Sequence, residues 1–534
     1  MKKPTSFQPF FPIGIFLFGA LSAALLLQNL PFKFGDELSV IYRIREASWG
    51  TVLQALLNPF ASAWYIHGGE SLFVSRILEA FLFKVLFTLF GYNPNAFWSL
   101  NILGFAASGV FIFFFLLLLT KNQWLGVVGS LFFYFLPPVF RCISWVADVE
   151  IVVQAFVLAS FLIFWILYTS SQKNRFSAFG LLLLLFICSW LGMRLKETGR
   201  IIPVVILGFL VLDQNRHILN WLGKDRKNGW LLAILLLLLA TVIPWRAPRG
   251  LELDSLSHTA IFKFDLNNLA MTLNQLMPLL APPLVALLGC ILLAKVGKRR
   301  KEMQEFSWPR GMPIFFLIWI GLCMMGYSMN FQLEGNIRYL TTILVPLTVF
   351  ILALFERPLR ELCEIQRGLA RPVAFALLGI SVLFQADVEE GRLHLNAKSD
   401  EILFIRNFHI GTDIAEYFLT KKVYEDRFGK SEPSWQELER FRWGRSPAQK
   451  GEFVEIRVKH WDPSQDSSVE SLEKVARKWG VAYVLSFENG LYREDRRVKQ
   501  IHKISTNTGS LYSLLISKIK KKSHRLAYLY RFSP

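Results

Sequence analysis

For its first 386 residues the chain alternates long apolar runs with short polar stretches; beyond them polar and apolar positions are mixed. The first run is Ile13–Leu30, behind Met1-Lys2-Lys3. Others lie near 96–119, 124–140, 149–168, 176–193, 199–212, 229–245, 273–294, 312–329, 338–355 and 372–386. Each approaches the roughly 20 residues a helix needs to cross a bilayer. The 199–212 run does so only with residues borrowed from its flanks. Ile13–Leu30 is long for a signal-peptide core and no small-residue cleavage site follows it, so it reads as an uncleaved first span. The pattern predicts a polytopic α-helical membrane protein with about 11 transmembrane helices.

Residues 70–90 break the pattern. They are apolar but carry Arg76, Glu79 and Lys84. A charge at mid-bilayer costs about 2.5–3.5 kcal/mol. At helical spacing these charges share one broad face with Glu70, which predicts a helix lying in the interface rather than crossing it. The tail reads differently again. Ser468–Trp479 predicts a helix stopped by Gly480, and Val481–Phe487, Val498–Ser505 and Leu511–Ile516 predict strands. The expected organisation is a membrane domain over 1–386 and a small α/β domain over 387–534.

Composition agrees with this pattern. Apolar residues make up 53% of 534 and charged residues 19%, and mean hydropathy is +0.38. That excludes a disordered chain, a disulfide-stapled module and most soluble enzymes. The five cysteines show no CxxC or Cys/His spacing, so neither zinc nor a disulfide framework is expected. A net charge of +19 would suggest nucleic acid in a soluble protein. Here topology accounts for it. With the N-terminus in the cytoplasm and 70–90 interfacial, the cytoplasmic loops hold 19 basic and 7 acidic residues, as the positive-inside rule requires. The outer loops before residue 387 hold 13 and 12. If 70–90 crossed instead, the basic run 295–301 would face outward. No nucleic-acid partner is needed. The basic run Lys518–Lys522 reads as a solvated stretch or as one drawn to anionic head groups.

The expected topology gathers ionisable groups at the outer surface. Asp36-Glu37 follow the first span, and His67 and Glu70 open the interfacial helix. Asp148 and Glu150 end one span; Arg194, Lys196, Glu197 and Arg200 lie between two others. His258, Lys263 and Asp265 follow a later span, and Glu334 and Arg338-Tyr339 precede another. Singly, each has an ordinary reading: a solvated loop start, a surface ion pair worth about 0–1 kcal/mol, a snorkelling helix anchor or an aromatic belt. Together they suit a site for an anionic, lipid-linked substrate. Arg194 and Lys196 are basic residues in a short outward loop, against the positive-inside bias, which favours a functional reason for them.

The order of these motifs resembles the GT-C superfamily of membrane glycosyltransferases, and within it the protein O-mannosyltransferase and lipid A aminoarabinose transferase group. The resemblance covers about residues 10–360. It rests on AspGlu (36–37), an apolar interfacial segment ending LeuPheGlyTyr (89–92), SerTrpValAlaAsp (144–148), LeuLysGluThrGly (195–199) and ArgTyrLeu (338–340) ahead of Pro346. It implies a GT-C-like fold and a polyprenyl-phosphate sugar donor, with transfer to a lipid, glycan or protein acceptor outside the membrane. Asp36, beside Glu37, matches the catalytic carboxylate; Lys196, Arg338 and Tyr339 match positions that hold the donor phosphate; Asp148 matches a cavity acid. Some members bind a divalent metal ion through positions matched by Glu70 and His258, and others manage without one. The implied setting is a bacterial cytoplasmic (inner) membrane, with the site and tail outside. Two rival readings remain open at the level of sequence: a transporter or flippase of lipid-linked sugars, and a ligase or polymerase of surface polysaccharide. Transporters tend to show internal repeats and charges near mid-membrane. Here the charges cluster at one surface.

Overall fold

The computed structural model describes residues 9–27, 40–41, 44–45, 47–57, 64–65, 71–72, 77–91, 93–143, 149–169, 175–213, 226–242, 266–296, 311–328, 340–359, 429, 483–486, 498–505 and 526–532. In chain order the helices are α1 (Phe10–Leu27), α2 (Trp49–Leu57), α3 (Ile77–Phe90), α4 (Pro94–Thr120), α5 (Gln123–Phe135), α6 (Pro137–Ile143), α7 (Glu150–Thr169) and α8 (Arg175–Leu195). A single 3-10 turn, Glu197–Arg200, joins α8 to α9 (Ile201–Asp213). Then come α10 (Arg226–Val242), α11 (Leu266–Val296), α12 (Met312–Ser328) and α13 (Thr341–Leu354). The chain divides into two compact units: residues 1–28, 46–86 and 96–389, and residues 29–45, 87–95 and 390–534.

Each apolar run expected to span, from the first to 338–355, is helical over most of its described residues, while 372–386 lies outside them. Helices Pro94–Thr120, Glu150–Thr169, Ser177–Leu195 and Thr341–Leu359 are long and apolar enough to cross a membrane by length and composition. The outward faces agree: Phe10, Leu21 and Leu25 of α1, Phe179 and Leu183 of α8, and Val285 and Leu288 of α11 are exposed. So much apolar surface suits contact with lipid rather than water. This is an integral membrane protein.

Two boundaries differ from the sequence pattern. The run 124–140 is not one helix. It breaks at Leu136, whose extended backbone (φ −65°, ψ 122°) precedes Pro137-Pro138. A residue before proline is driven out of the helical region, and proline then suits the first turn of the next helix. The segment 70–90 is also corrected. Ser71–Leu72 (β2) pairs antiparallel with Trp64–Tyr65 (β1), so the helix opens at Ile77 and not at Glu70. At 14 residues α3 is about 21 Å long, too short for a hydrocarbon core of about 30 Å. Its charges are not on a watery face either: Glu79 and Lys84 are both buried within the protein.

Small residues and hydroxyls bring the helices of the first unit together, as lipid-embedded packing demands. A side chain at Gly104 of α4 would come within 2.7 Å of the Val152 Cα of α7. One turn on, Ser108 donates to the Ile151 carbonyl at 3.4 Å. Ser130 of α5 donates to the Gly109 carbonyl at 2.7 Å. The Tyr134 hydroxyl lies 3.2 Å from the Ile15 carbonyl of α1 and 3.0 Å from that of Ala106. Between α7, α9 and α12 the interior is aromatic. Phe161 meets Trp319 and Phe315 with centroids 4.6 and 5.0 Å apart, edge to face.

In the second unit, β3 (Tyr483–Ser486), β4 (Val498–Ser505) and β5 (Leu526–Phe532) form an antiparallel sheet in the order β3-β5-β4. The β4–β5 register shifts between Gln500 and His502. Two of these strands fall where the sequence places them; the central one lies beyond the last expected strand. The expected helix 468–479 and strand 511–516, and the basic run 518–522, lie outside the described residues.

Candidate functional site

The chemistry of the first unit concentrates where α7 begins, α8 ends and α13 begins. Glu150 opens α7, so its carboxylate sits at the positive end of the helix. Lys196 stands just past the last residue of α8, where a cation is favoured. Its backbone is fully extended (φ −160°, ψ 156°), which turns the chain from α8 into the 3-10 turn. That turn folds back tightly on α8: a Cβ at Gly199 would collide with the Gly192 carbonyl, and only glycine fits. Lys196 is thereby carried inward.

The Lys196 ammonium meets the Glu150 carboxylate at 3.1 Å, with 2% and 0% of the two side chains exposed. Glu150 is gripped from three further directions. Gln154, one turn along α7, donates from Nε2 to Oε1 at 2.7 Å. Thr342, in the first turn of α13, donates to the same oxygen at 2.8 Å. Thr198, in the 3-10 turn, donates to Oε2 at 2.9 Å. The start of α13 is fastened besides by Cys142 of α6, whose sulfur lies 3.1 Å from the Thr341 hydroxyl, and by Cys323 of α12, which donates to the Thr342 carbonyl at 3.7 Å.

A carboxylate offers about four lone-pair positions, and here four donors occupy them. Glu150 is therefore a holder and not a base. An ammonium has three donors, and the contact with Glu150 fixes its position. Burying such a pair costs several kcal/mol per ion before the mutual attraction is counted, so the arrangement is a poor way merely to fasten helices. It does fix one cation in place, beside its counter-charge and away from bulk water.

Arg194, two residues before Lys196, has another part. Its guanidinium donates to the Ala55 and Leu56 carbonyls, both at 3.1 Å, and lies 5.6 Å from the centre of the Trp190 ring. It closes the C-terminal end of α2, where carbonyls lack helical partners. The two basic residues that sequence reasoning paired are thus separated by role.

Of the candidate site residues, Lys196 is the one among the described residues. Asp36, Glu37, Glu70, Asp148, His258, Arg338 and Tyr339 all lie outside them. In sequence, Asp148 stands two residues before Glu150 and Arg338 four before Thr342. Among the described residues no group of three or more His, Cys, Asp or Glu side chains is placed to hold a metal ion. Sequence reasoning had noted Glu150 without giving it a role, and had passed over Thr198 and Thr342. The available signal was Glu150-x-x-x-Gln154, an acid and an amide on one face at the mouth of an apolar helix, with paired hydroxyls at Thr341-Thr342 after the ArgTyrLeu motif.

No protein-family model matches the chain, and no curated protein matches it. Among solved structures it is similar to that of ArnT from Cupriavidus metallidurans bound to undecaprenyl phosphate. That match has 12% identity and a TM-score of 0.45, over 79% of this chain and 73% of that one. It is also similar to the Archaeoglobus fulgidus oligosaccharyltransferase in the apo form, at 12% identity and a TM-score of 0.43, over 90% of this chain and 70% of that one.

Proposed function

We propose that the chain is an integral membrane glycosyltransferase that moves a sugar from a polyprenyl-phosphate donor to a hydroxyl acceptor outside the cytoplasmic membrane, with inversion. The observation that carries this reading is the buried Lys196 ammonium, fixed by Glu150 where α7, α8 and α13 meet. Two further candidate motifs adjoin the same helix ends in sequence.

In this scheme Asp36, beside Glu37, accepts the proton of the acceptor hydroxyl as its oxygen attacks the anomeric carbon. The bond from that carbon to the phosphate oxygen breaks, and polyprenyl phosphate leaves. Its charge grows as the bond breaks, so cations held in advance stabilise the transition state more than the ground state. Lys196 and Arg338 supply them, Arg338 with a fork that matches two phosphate oxygens, and Tyr339 adds a hydrogen bond. Asp148 is assigned in this scheme the part of a second acid of the site. No step runs through a metal ion; the expectation at Glu70 and His258 stands apart from the scheme.

The test uses membranes carrying Asp36→Asn or Lys196→Ala and measures release of sugar from a lipid-linked donor. Turnover is expected to fall about 10²–10⁴-fold for the base and about 10²–10³-fold for the cation. Unchanged turnover in both variants defeats the reading. Donor translocation without a glycosyl product points instead to a transporter, and a product of joined chains to a ligase or polymerase.

A further inference from the structure

Glu150 makes more contacts than an ion-pair partner needs. Its two oxygens bind side chains from its own helix, from the 3-10 turn after α8 and from the start of α13. Each of these segments bears one candidate motif: Asp148 precedes α7, Lys196 opens the turn, and Arg338-Tyr339 precede α13. The contacts are long-range, reaching across 48 residues to Thr198 and 192 to Thr342. One fully buried carboxylate therefore sets the mutual register of three segments that sequence separates.

We infer that Glu150 is the positioning residue of the donor-phosphate site. It holds the Lys196 ammonium in one place and, through Thr198 and Thr342, aligns the turn and the start of α13 around the same anion. This inference rests on the proposed use of a polyprenyl phosphate. It goes beyond that proposal by assigning recognition of the phosphate, as distinct from the lipid chain, to a residue that does not touch the ligand. Glu150 fills its acceptor positions with protein donors, which fixes its carboxylate, and with it the ammonium, in one place. A fixed cation loses less freedom on binding than a mobile one, and preorganisation of this kind raises affinity without a new contact.

The experiment compares binding of undecaprenyl phosphate and of undecaprenol, the same lipid without the phosphate, to the purified full chain. The wild type is expected to favour the phosphate, and Lys196→Ala to lose that preference. Glu150→Gln keeps the shape but not the charge. It is expected to weaken phosphate binding about tenfold and leave undecaprenol binding unchanged. Combined with Lys196→Ala it should add little further loss, because the two act as one unit. Glu150→Gln that unfolds at the wild-type temperature and binds both lipids as the wild type does overturns the inference, as does equal weakening towards both lipids, the mark of a general structural role. If Glu150→Gln does not fold, Thr342→Val decides. It removes one hydrogen bond and leaves the ion pair intact; a fewfold loss confined to the phosphate supports the inference, and no loss overturns it. A wild type that does not distinguish phosphate from alcohol defeats the proposed function itself, whereas a Lys196-dependent preference indifferent to Glu150 defeats only the positioning role.

Discussion

The two ends of the helical bundle in the first unit are fastened by different chemistry. At one end, the ammonium of Lys196 and the carboxylate of Glu150 are buried together among threonine hydroxyls. At the other, Asn122 before α5 donates to Glu356 just past α13 at 3.0 Å, and Tyr168 near the end of α7 donates to Asp213 at the end of α9. Glycine serves each end once, Gly199 under the Gly192 carbonyl and Gly311, at φ +84°, against Phe209 and Asp213. The contacts named differ in their donors: an ammonium among them at the first end, a neutral amide and a hydroxyl at the second. A neutral amide or hydroxyl loses far less than an ammonium when taken from water. Burying the ammonium at the first end is the costlier step, and the proposed donor site gives it a purpose.

The sharpest test separates the two purposes at the first end. Lys196→Ala leaves a buried carboxylate without its cation. Stability should drop by about 3–5 kcal/mol, read as earlier thermal unfolding of the detergent-solubilised protein, along with the loss of turnover. Replacing both partners, as Glu150→Leu with Lys196→Met, removes the uncompensated charge but strands the donors of Gln154, Thr198 and Thr342, so it should recover only part of that stability. Turnover should stay absent. Wild-type turnover in the double variant would show that the first end, too, is only a fastening. Next in size is Gly199→Ala. The added methyl meets the Gly192 backbone, so overpacking should cost about 1–3 kcal/mol, and the shift of Lys196 should lower turnover about 10²-fold.

The comparison also shows what a sequence can carry. The helices were legible because a backbone in lipid must satisfy its polar groups internally, so an apolar run of sufficient length has little choice but a helix. The break at Leu136 was legible in principle, since Pro137-Pro138 announce it. Lys196 stood out because a basic residue in a short loop expected to face outward runs against the positive-inside bias. The grip on Lys196 did not stand out. Glu150 binds partners 48 and 192 residues away, and no local pattern records which helix ends will meet. The charges of α3 failed for a related reason: helical spacing put Glu79 and Lys84 on one face, but packing decided that the face is buried.

At the second end the expected losses are smaller and confined to stability. Asn122 accepts from the Trp124 and Leu125 amides as the N-cap of α5 while its amide reaches Glu356. Asn122→Ala should cost about 1–2 kcal/mol and leave turnover per folded molecule unchanged.

Tyr168→Phe should cost least. The ring keeps its packing against Phe164, Trp165 and Phe209, with centroids 5.6, 5.6 and 5.2 Å away. Only the hydroxyl donated to Asp213 is lost. Asp213 is partly exposed, so water can take the vacated place and the net loss should stay near 1 kcal/mol. A detergent-solubilised Tyr168→Phe protein should therefore unfold slightly earlier and turn over at the wild-type rate. If it lost turnover on the scale of Lys196→Ala, the ends would be coupled across the length of α7. The contrast between an end that acts and an end that ties would then have to be abandoned.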